Sequence, residues 1–135
     1  MYADSLEFSI IKGKTLLSIS AEKGDEKIRF KFSDGSEYWL LHDQDCCENV
    51  SVEDVCGDVN DLIGSPLLMA EMVTSQEPLP DKPWEKIIDG HTPESFTWTF
   101  YKLGTIKGYV TIRWLGESNG YYSESVDFVE VIKLA

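Results

Sequence analysis

Hydrophobic and polar positions alternate most cleanly between Lys27 and Phe32, where the sequence reads KIRFKF. Because successive side chains of a strand point to opposite faces, Ile28, Phe30 and Phe32 would share an apolar face opposite the three basic residues. The SDGS segment that follows contains Asp-Gly, a dipeptide that accepts the positive φ angles of a tight hairpin turn. We therefore predict a β-hairpin whose second strand is Glu37–His42.

Strand-like patterns also occur on both sides of this hairpin. KTLLSIS (Lys14–Ser20) precedes it, and LLMAEMVT (Leu67–Thr74) alternates and ends in β-branched residues, so both are predicted to be strands. The last third contains three more predicted strands, and an Asn-Gly hairpin signal separates the final two. These strands are Ser95–Leu103, Gly108–Gly116 and Tyr121–Ile132. We expect them to form one antiparallel meander that extends or faces the N-terminal hairpin.

One segment has helical spacing instead of alternation. Four apolar residues recur at intervals that place them on one helix face, and Asn49 or Ser51 is available as an N-cap. These residues are Val55, Val59, Leu62 and Ile63. Residues 75–94 hold four of the five prolines and are predicted to be a loop. The predicted fold is α+β and β-rich: a single domain over residues 1–135, with an antiparallel hairpin and meander sheet and one short helix.

Charge and cysteine content restrict the partners and the compartment. The chain has 24 acidic and 12 basic residues, a net charge of −12, which disfavours direct nucleic-acid or membrane binding and favours a basic protein partner. No apolar run approaches the roughly 20 residues that cross a bilayer, and the first 20 residues lack a signal-peptide pattern. Three cysteines make a disulfide framework unexpected. We expect a cytoplasmic protein.

The segment LHDQDCCENVSVEDVCGDVNDL, from Leu41 to Leu62, concentrates the candidate metal ligands. Its adjacent cysteines do not match the Cys-x₂₋₄-Cys pairs of structural zinc sites. We favour an ordinary structural interpretation, in which the cysteines pack as small hydrophobes and the acids are solvated or cap a helix. We therefore expect no metal and no cofactor. The less favoured metal site would use His42, Cys46, Cys47 and Cys56.

Catalytic patterns are sparse. A nucleophilic thiolate needs a nearby base or a positive field, whereas all three cysteines lie in an acidic segment. The sequence contains no Cys-x-x-Cys, Gly-x-Ser-x-Gly or His-Glu-x-x-His motif and no phosphate-cradling glycine loop. We predict that the protein is not an enzyme, and a metal-dependent enzyme that uses the His42–Asp58 region is kept as a second alternative.

The C-terminal strands carry a second group of candidate functional residues. Around Thr111, the apolar Val110, Ile112 and Trp114 share one face, which leaves Tyr109 and Arg113 outward. Rings beside cations can stack a base and hold a phosphate even on an acidic protein, although cross-strand aromatic pairing gives a similar pattern. The predicted ligand-binding residues are Tyr109, Arg113, Asn119, Tyr121, Tyr122 and Lys107.

Two segments resemble a family of small uncharacterised proteins encoded by bacteriophages, prophages and some bacteria. They are HDQDCCENVSVEDVCGDVNDLIGSPLLMAE (His42–Glu71) and TWTFYKLGTIKGYVTIRWLGESNGYYSESVDF (Thr97–Phe128). The resemblance implies a phage or mobile-element setting and one functional unit with the two segments adjacent in space. It implies no agreed activity, so it assigns no catalytic residue.

Two binding functions remain open at this stage. In the first, a phage or prophage accessory protein with a counter-defence role sequesters a small nucleotide-type ligand or immune signal, as a homo-oligomer that associates through exposed strand edges. In the alternative, the protein is an acidic inhibitor of a host defence protein, and its carboxylates imitate nucleic-acid phosphates. The carboxylates for that role are Asp43, Asp45, Glu48, Asp54 and Asp58.

Overall fold

The chain folds into two antiparallel sheets. The computed structural model describes residues 5–44, 47–75, 95–119 and 123–132, and no helix in those ranges is long and apolar enough to span a membrane. The strand orders are β1-β2-β3-β8 and β4-β7-β6-β5, called sheet 1 and sheet 2 below. This confirms the predicted β-rich antiparallel class. The elements of the described chain are the 3₁₀ helices η1 (Phe8–Ile11) and η2 (Val59–Leu62) and the strands β1 (Leu16–Ser20), β2 (Lys27–Phe32), β3 (Glu37–Leu41), β4 (Asn49–Cys56), β5 (Met69–Ser75), β6 (Ser95–Thr105), β7 (Gly108–Ser118) and β8 (Asp127–Glu130).

The predicted hairpin is confirmed as β2 and β3, which pair in an antiparallel register. Ile28 and Phe30 are fully buried, and the basic residues between them point outward. In the turn, Phe32 N–H donates to the Ser36 carbonyl at 3.0 Å, and Gly35 has a φ of 90°. Glycine adopts that angle without strain, which is why the Asp-Gly signal is reliable here.

A common core joins the two sheets. It takes Phe30 from sheet 1, Tyr101 and Trp114 from sheet 2, and Phe8 from η1. Phe8 meets the Tyr101 ring edge-on, with centroids 4.8 Å apart. Apolar burial of this kind is the main stabilising contribution in a fold without long helices.

Strand β6 also contributes to a second apolar cluster. Trp98 is fully buried but packs with Phe96 and Leu115, separately from the common core. Since alternate residues of a strand point to opposite faces, this cluster lies on the face of sheet 2 that points away from sheet 1. The other side of the same half-strand therefore carries small polar residues, Thr97 and Thr99.

The segment with helical spacing was interpreted wrongly in its first half. Residues Asn49–Cys56 form β4, and only Val59–Leu62 makes one 3₁₀ turn, capped by Asp58, whose carboxylate accepts the Asn60 N–H at 2.9 Å. Val50 and Val52 are buried, and the β4 backbone pairs along β7. Sheet pairing thus outweighs the helical spacing of the apolar residues.

The predicted three-stranded meander is wrong in its last strand. β6 and β7 pair as expected, but β8 pairs with β3 and so completes the opposite sheet. This places Phe128 in the common core, where its ring stacks against Tyr38 at 5.2 Å. The predicted strands near β1 and β5 are confirmed. The Asn-Gly turn at Gly120 and the proline-rich loop after Ser75 lie outside the described residues.

Candidate functional site

Arg113 points outward from β7, as predicted, but its guanidinium is already paired. Nη2 lies 2.6 Å from Oε1 of Glu53, and Nε donates to the same oxygen at 2.8 Å. Asp54 is a further 3.8 Å neighbour, and the guanidinium lies 5.3 Å from the centroid of the Trp98 ring. An incoming phosphate would therefore have to compete with Glu53 for this cation.

The other predicted ligand-binding residues are spread along β7. Tyr109 is 68% exposed and its ring covers Gly104, where an added Cβ would lie 2.4 Å from the ring. Lys107 lies in the preceding turn and donates from Nζ to the Ile63 carbonyl at 2.7 Å. Asn119 follows the other end of the strand, roughly 30 Å away at the usual rise per residue. Lys107 and Asn119 therefore do not line one small-molecule pocket, and Tyr121 and Tyr122 lie outside the described residues.

His42 has both ring nitrogens engaged. Nδ1 lies 2.8 Å from the Ser125 carbonyl and Nε2 lies 2.8 Å from Oε2 of Glu48. Both partners offer hydrogen-bond acceptor oxygens. The ring thus ties the end of β3 to the residues before β4 and β8, and these two contacts occupy both of its nitrogens.

The described cysteines do not form a metal site with His42. Cys47 is disulfide-bonded and exposed, so the expectation that the cysteines pack as small hydrophobes is wrong for this residue, and its sulfur is not a free ligand. Cys56 is a free, exposed thiol at the end of β4, and Cys46 lies outside the described residues. Within the part of the chain that the structure describes, no three His, Cys, Asp or Glu side chains are grouped to hold a metal.

The acidic residues considered for a nucleic-acid mimic do not form one exposed row. Glu48 is only 5% exposed and pairs with His42. Asp58 caps η2, Asp54 lies beside Arg113, and Asp43 is exposed. The fifth residue, Asp45, lies outside the described residues. Only part of this set therefore presents a carboxylate to a partner.

A cationic surface that the sequence pattern displayed, but to which no role was assigned, covers the outer face of sheet 1. We call it the basic face: Lys27, Arg29 and Lys31 of β2 together with Trp39 of β3. Arg29 is directly opposite Trp39 in the β2–β3 register, with Cζ 5.6 Å from the ring centroid. Lys27 Nζ lies 4.0 Å from the same centroid. The ring is thus bordered by two cations, and a third lies further along the strand.

The three cations of the basic face make no ion pair within the described chain, a property that they share with exposed lysines elsewhere such as Lys102, but here they are grouped around one aromatic ring. None of the three makes an ion pair with a residue that the structure describes, whereas Lys14 pairs with Asp34 and Arg113 with Glu53. The neighbouring Glu37 accepts a hydrogen bond from the Trp39 indole N–H at 2.7 Å. Glu37 also lies opposite Lys31 in the β2–β3 register, so three cations and one carboxylate share this face, and its charge is net positive on a strongly anionic chain.

A concave site lies at the end of sheet 2 that carries Thr97 and Thr99, and we call it the hydroxyl groove. Its volume is about 340 Å³. Glu124 lies within it and accepts hydrogen bonds from Thr97 Oγ1 at 2.8 Å and from Ser118 Oγ at 2.5 Å. The lining residues are Met72, Thr74, Ser95, Thr97, Thr99, Ser123, Glu124, Ser125 and Val126.

Together, the two sheets, the basic face and the hydroxyl groove define a small antiparallel β-protein with candidate binding surfaces on both sheets. The chain belongs to the family described as a domain of unknown function, DUF7448, whose model matches residues 9–128. No curated protein and no solved structure matches it. Membership of an uncharacterised family is thus confirmed.

Proposed function

We propose that the protein acts by binding and not by catalysis, and that it sequesters a small nucleotide-type ligand or immune signal at the basic face. The observation that carries this proposal is the group of unpaired cations, Lys27, Arg29 and Lys31, around Trp39. Acidic residues outnumber basic ones two to one in this chain. Three neighbouring cations without a described carboxylate partner therefore favour an external anion.

The geometry of β2 suggests a role for each side chain. Alternate residues of a strand lie about 7 Å apart, so the three cations form a row about 13 Å long that suits a ligand with more than one phosphate. Arg29 offers a bidentate donor pair to one phosphate, while Lys27 and Lys31 act as point charges. Movement of Lys27 from the ring to a phosphate would leave Trp39 open to stack a base.

The biological setting is part of the same proposal. Resemblance to phage and prophage proteins suggests a counter-defence role in a host cytoplasm, where removal of a nucleotide signal would need no catalysis. We also propose a homo-oligomer. β5 is an edge strand of sheet 2, and its Met72 and Val73 are 49% and 44% exposed, which favours association along that edge.

Calorimetric titration with ATP, with cyclic di-adenosine monophosphate and with pyrophosphate tests the ligand class. The key variant is the triple change Lys27→Gln, Arg29→Gln and Lys31→Gln, which we expect to weaken nucleotide binding at least about tenfold because charged hydrogen bonds are lost. A matched control changes Lys12, Lys23 and Lys102 to Gln, which alters net charge equally at exposed positions elsewhere. This control should bind like the parent protein.

Trp39→Leu separates stacking from simple charge attraction. It should weaken nucleotide binding and leave pyrophosphate binding unchanged, since pyrophosphate has no base to stack. If neither nucleotide binds the parent protein, or if both triple variants weaken binding equally, the proposal is wrong. Binding that disappears steeply with salt and is insensitive to Trp39→Leu would point to a nonspecific charge effect.

A further inference from the structure

The hydroxyl groove is built from residues that β6 turns away from its aromatic side. Ser95, Thr97 and Thr99 occupy alternate positions, so they share one face, while Phe96 and Trp98 fill the cluster on the other. Tyr101, the next residue on the inner face, already belongs to the common core. The inner face of β6 thus changes from apolar to polar where it enters the groove, and this polar surface is concave, with Ser95 and Thr97 partly exposed and Thr99 buried.

Hydrogen-bond acceptors dominate the groove. Thr97 and Ser118 donate their hydroxyl protons to Glu124, so the Thr97 oxygen presents acceptor lone pairs beside the carboxylate. Ser123 and Ser125 share one hydrogen bond between their hydroxyls at 2.7 Å. A ligand that donates hydrogen bonds therefore fits this lining better than one that accepts them.

The charge in the groove is also unbalanced. Glu124 is only 9% exposed, and among the residues that the structure describes, those that line the groove include no lysine, arginine or histidine. A carboxylate held mainly by hydroxyls away from water is stabilised further by a positive partner. The effect of this charge reaches Glu117, since burial and then the nearby Glu124 raise the Glu117 pKa to about 7.

A second cavity continues the groove. It has a volume of about 420 Å³, lies between the segment before η1 and β5, and shares Met72 and Val126 with the hydroxyl groove. Its charged lining residues are Glu7 and Glu71, both exposed. The two cavities therefore present acidic groups at both ends and two apolar side chains between them.

We propose that these joined cavities bind a linear aliphatic polyamine. One ammonium group donates to Glu124 and the hydroxyls of Thr97 and Thr99, the alkyl chain lies along Met72 and Val126, and a second ammonium group reaches the acidic end of the neighbouring cavity. The basic face lies on the outer side of the other sheet, so this site is separate from the one proposed for nucleotides and does not depend on it.

Calorimetric titration of the full chain with spermidine at physiological salt tests the proposal. Glu124→Gln keeps a hydrogen-bonding group in place but removes the charge, and we expect it to weaken spermidine binding about tenfold or more. Glu26→Gln makes the same change of net charge at an exposed residue outside the groove and should leave binding unchanged. Equal weakening by both variants, or no binding by the parent protein, would overturn the proposal.

Because Glu124 is buried, its replacement can also impair folding, so the test includes a second variant at a more exposed position. Met72→Trp enlarges a half-exposed side chain between the two cavities and should abolish spermidine binding in a folded protein. The neutral chain 1,4-butanediol should not bind, because it lacks the charge that Glu124 recognises. Equal binding of the diol, or a folded Met72→Trp protein that binds spermidine like the parent, would contradict the assignment. The triple Gln variant of the basic face should bind spermidine at least as well as the parent.

Discussion

Glu48 and Glu117 are neighbouring buried carboxylates with opposite surroundings. Glu117 pairs in the sheet register with Asn49, the residue after Glu48, and the two glutamates are 6% and 5% exposed. Oε2 of Glu48 lies 2.8 Å from Nε2 of His42, whereas Oε2 of Glu117 is buried without a hydrogen-bond partner among the described residues. The two side chains are buried to a similar extent, but within the described chain only Glu48 has a partner that compensates for its burial. The free energy of a buried charge depends on such partners.

Among these carboxylates, we expect the largest loss of stability when Glu48 is removed. Glu48→Ala leaves the His42 side chain in a nearly closed site without its carboxylate partner, and breaking a buried pair in this way typically costs about 3–5 kcal/mol of unfolding free energy. Urea denaturation followed by tryptophan fluorescence measures the change. Asp43→Ala, at an exposed acid in the same turn, is the control and should have little effect. A loss below about 1 kcal/mol for Glu48→Ala would mean that the pair contributes little.

The Arg113–Glu53 ion pair is more exposed than Glu48 and Glu117 but more buried than a surface ion pair such as Lys14–Asp34. Their side chains are 14% and 11% exposed, so Arg113→Met should destabilise the fold by about 2–3 kcal/mol because Glu53 loses its partner. Changing both residues to Met should recover part of that loss, and a double-mutant cycle in urea gives the coupling. If the single and double variants are equally unstable, the ion pair is not the source of the effect.

The pairing of these carboxylates could not be derived from the sequence, although much of the fold could. The β2–β3 hairpin was predicted because its alternation and its Asp-Gly turn are local signals. Strand β8 was assigned to the wrong sheet because a short strand shows its own pattern but not its neighbour. Similarly, β4 was mistaken for helix because pairing with β7 involves residues about 60 positions away.

In the candidate site, too, the sequence predicted features that depend on neighbouring residues and missed contacts between residues far apart in the chain. Alternation correctly placed Arg113 outward on β7, but its partner Glu53 is 60 residues away in sequence. The row of basic residues on β2 was visible in the sequence, yet only the structure shows that it makes no ion pair within the described chain and surrounds the Trp39 ring. The hydroxyl groove was harder to predict from the sequence. SFTWTF alternates polar and aromatic residues along one strand, and the sequence does not show which of the two faces points towards the other sheet.

Glu117 should make stability depend on pH in the direction opposite to that of a paired acid. Its pKa is about 7 in the folded protein, raised by burial and then by Glu124, against 4.5 as the ordinary value. Between these values the folded state keeps a proton that the unfolded state has lost, so stability falls as pH rises from about 4.5 to about 7 and then levels off. The expected contribution is on the order of 1–2 kcal/mol after allowance for solvent screening.

Glu117→Gln isolates this effect from the other acids. The variant should be more stable than the parent at pH 8 by that amount, and the difference should shrink towards pH 4.5, where Glu117 is protonated in both states. Urea denaturation at pH 4.5, 6 and 8 provides the comparison, with Glu26→Gln as the exposed control. A stability difference that stays constant with pH would show that the carboxyl does not titrate as described.

The smallest effect is expected where the carboxylate is paired at the surface. The Lys14 ammonium donates to Asp34, and this hydrogen bond, followed by those from Ser36, holds the Asp34 pKa well below its ordinary value. Lys14→Met should move the Asp34 pKa upwards in an NMR titration, with little change in stability because half of the Asp34 side chain is exposed and its charge is screened. Ser36→Ala should produce a smaller shift in the same direction. An unchanged Asp34 titration in Lys14→Met would show that the surface pair does not persist in solution, so that among these acids only the buried ones depend on a fixed partner.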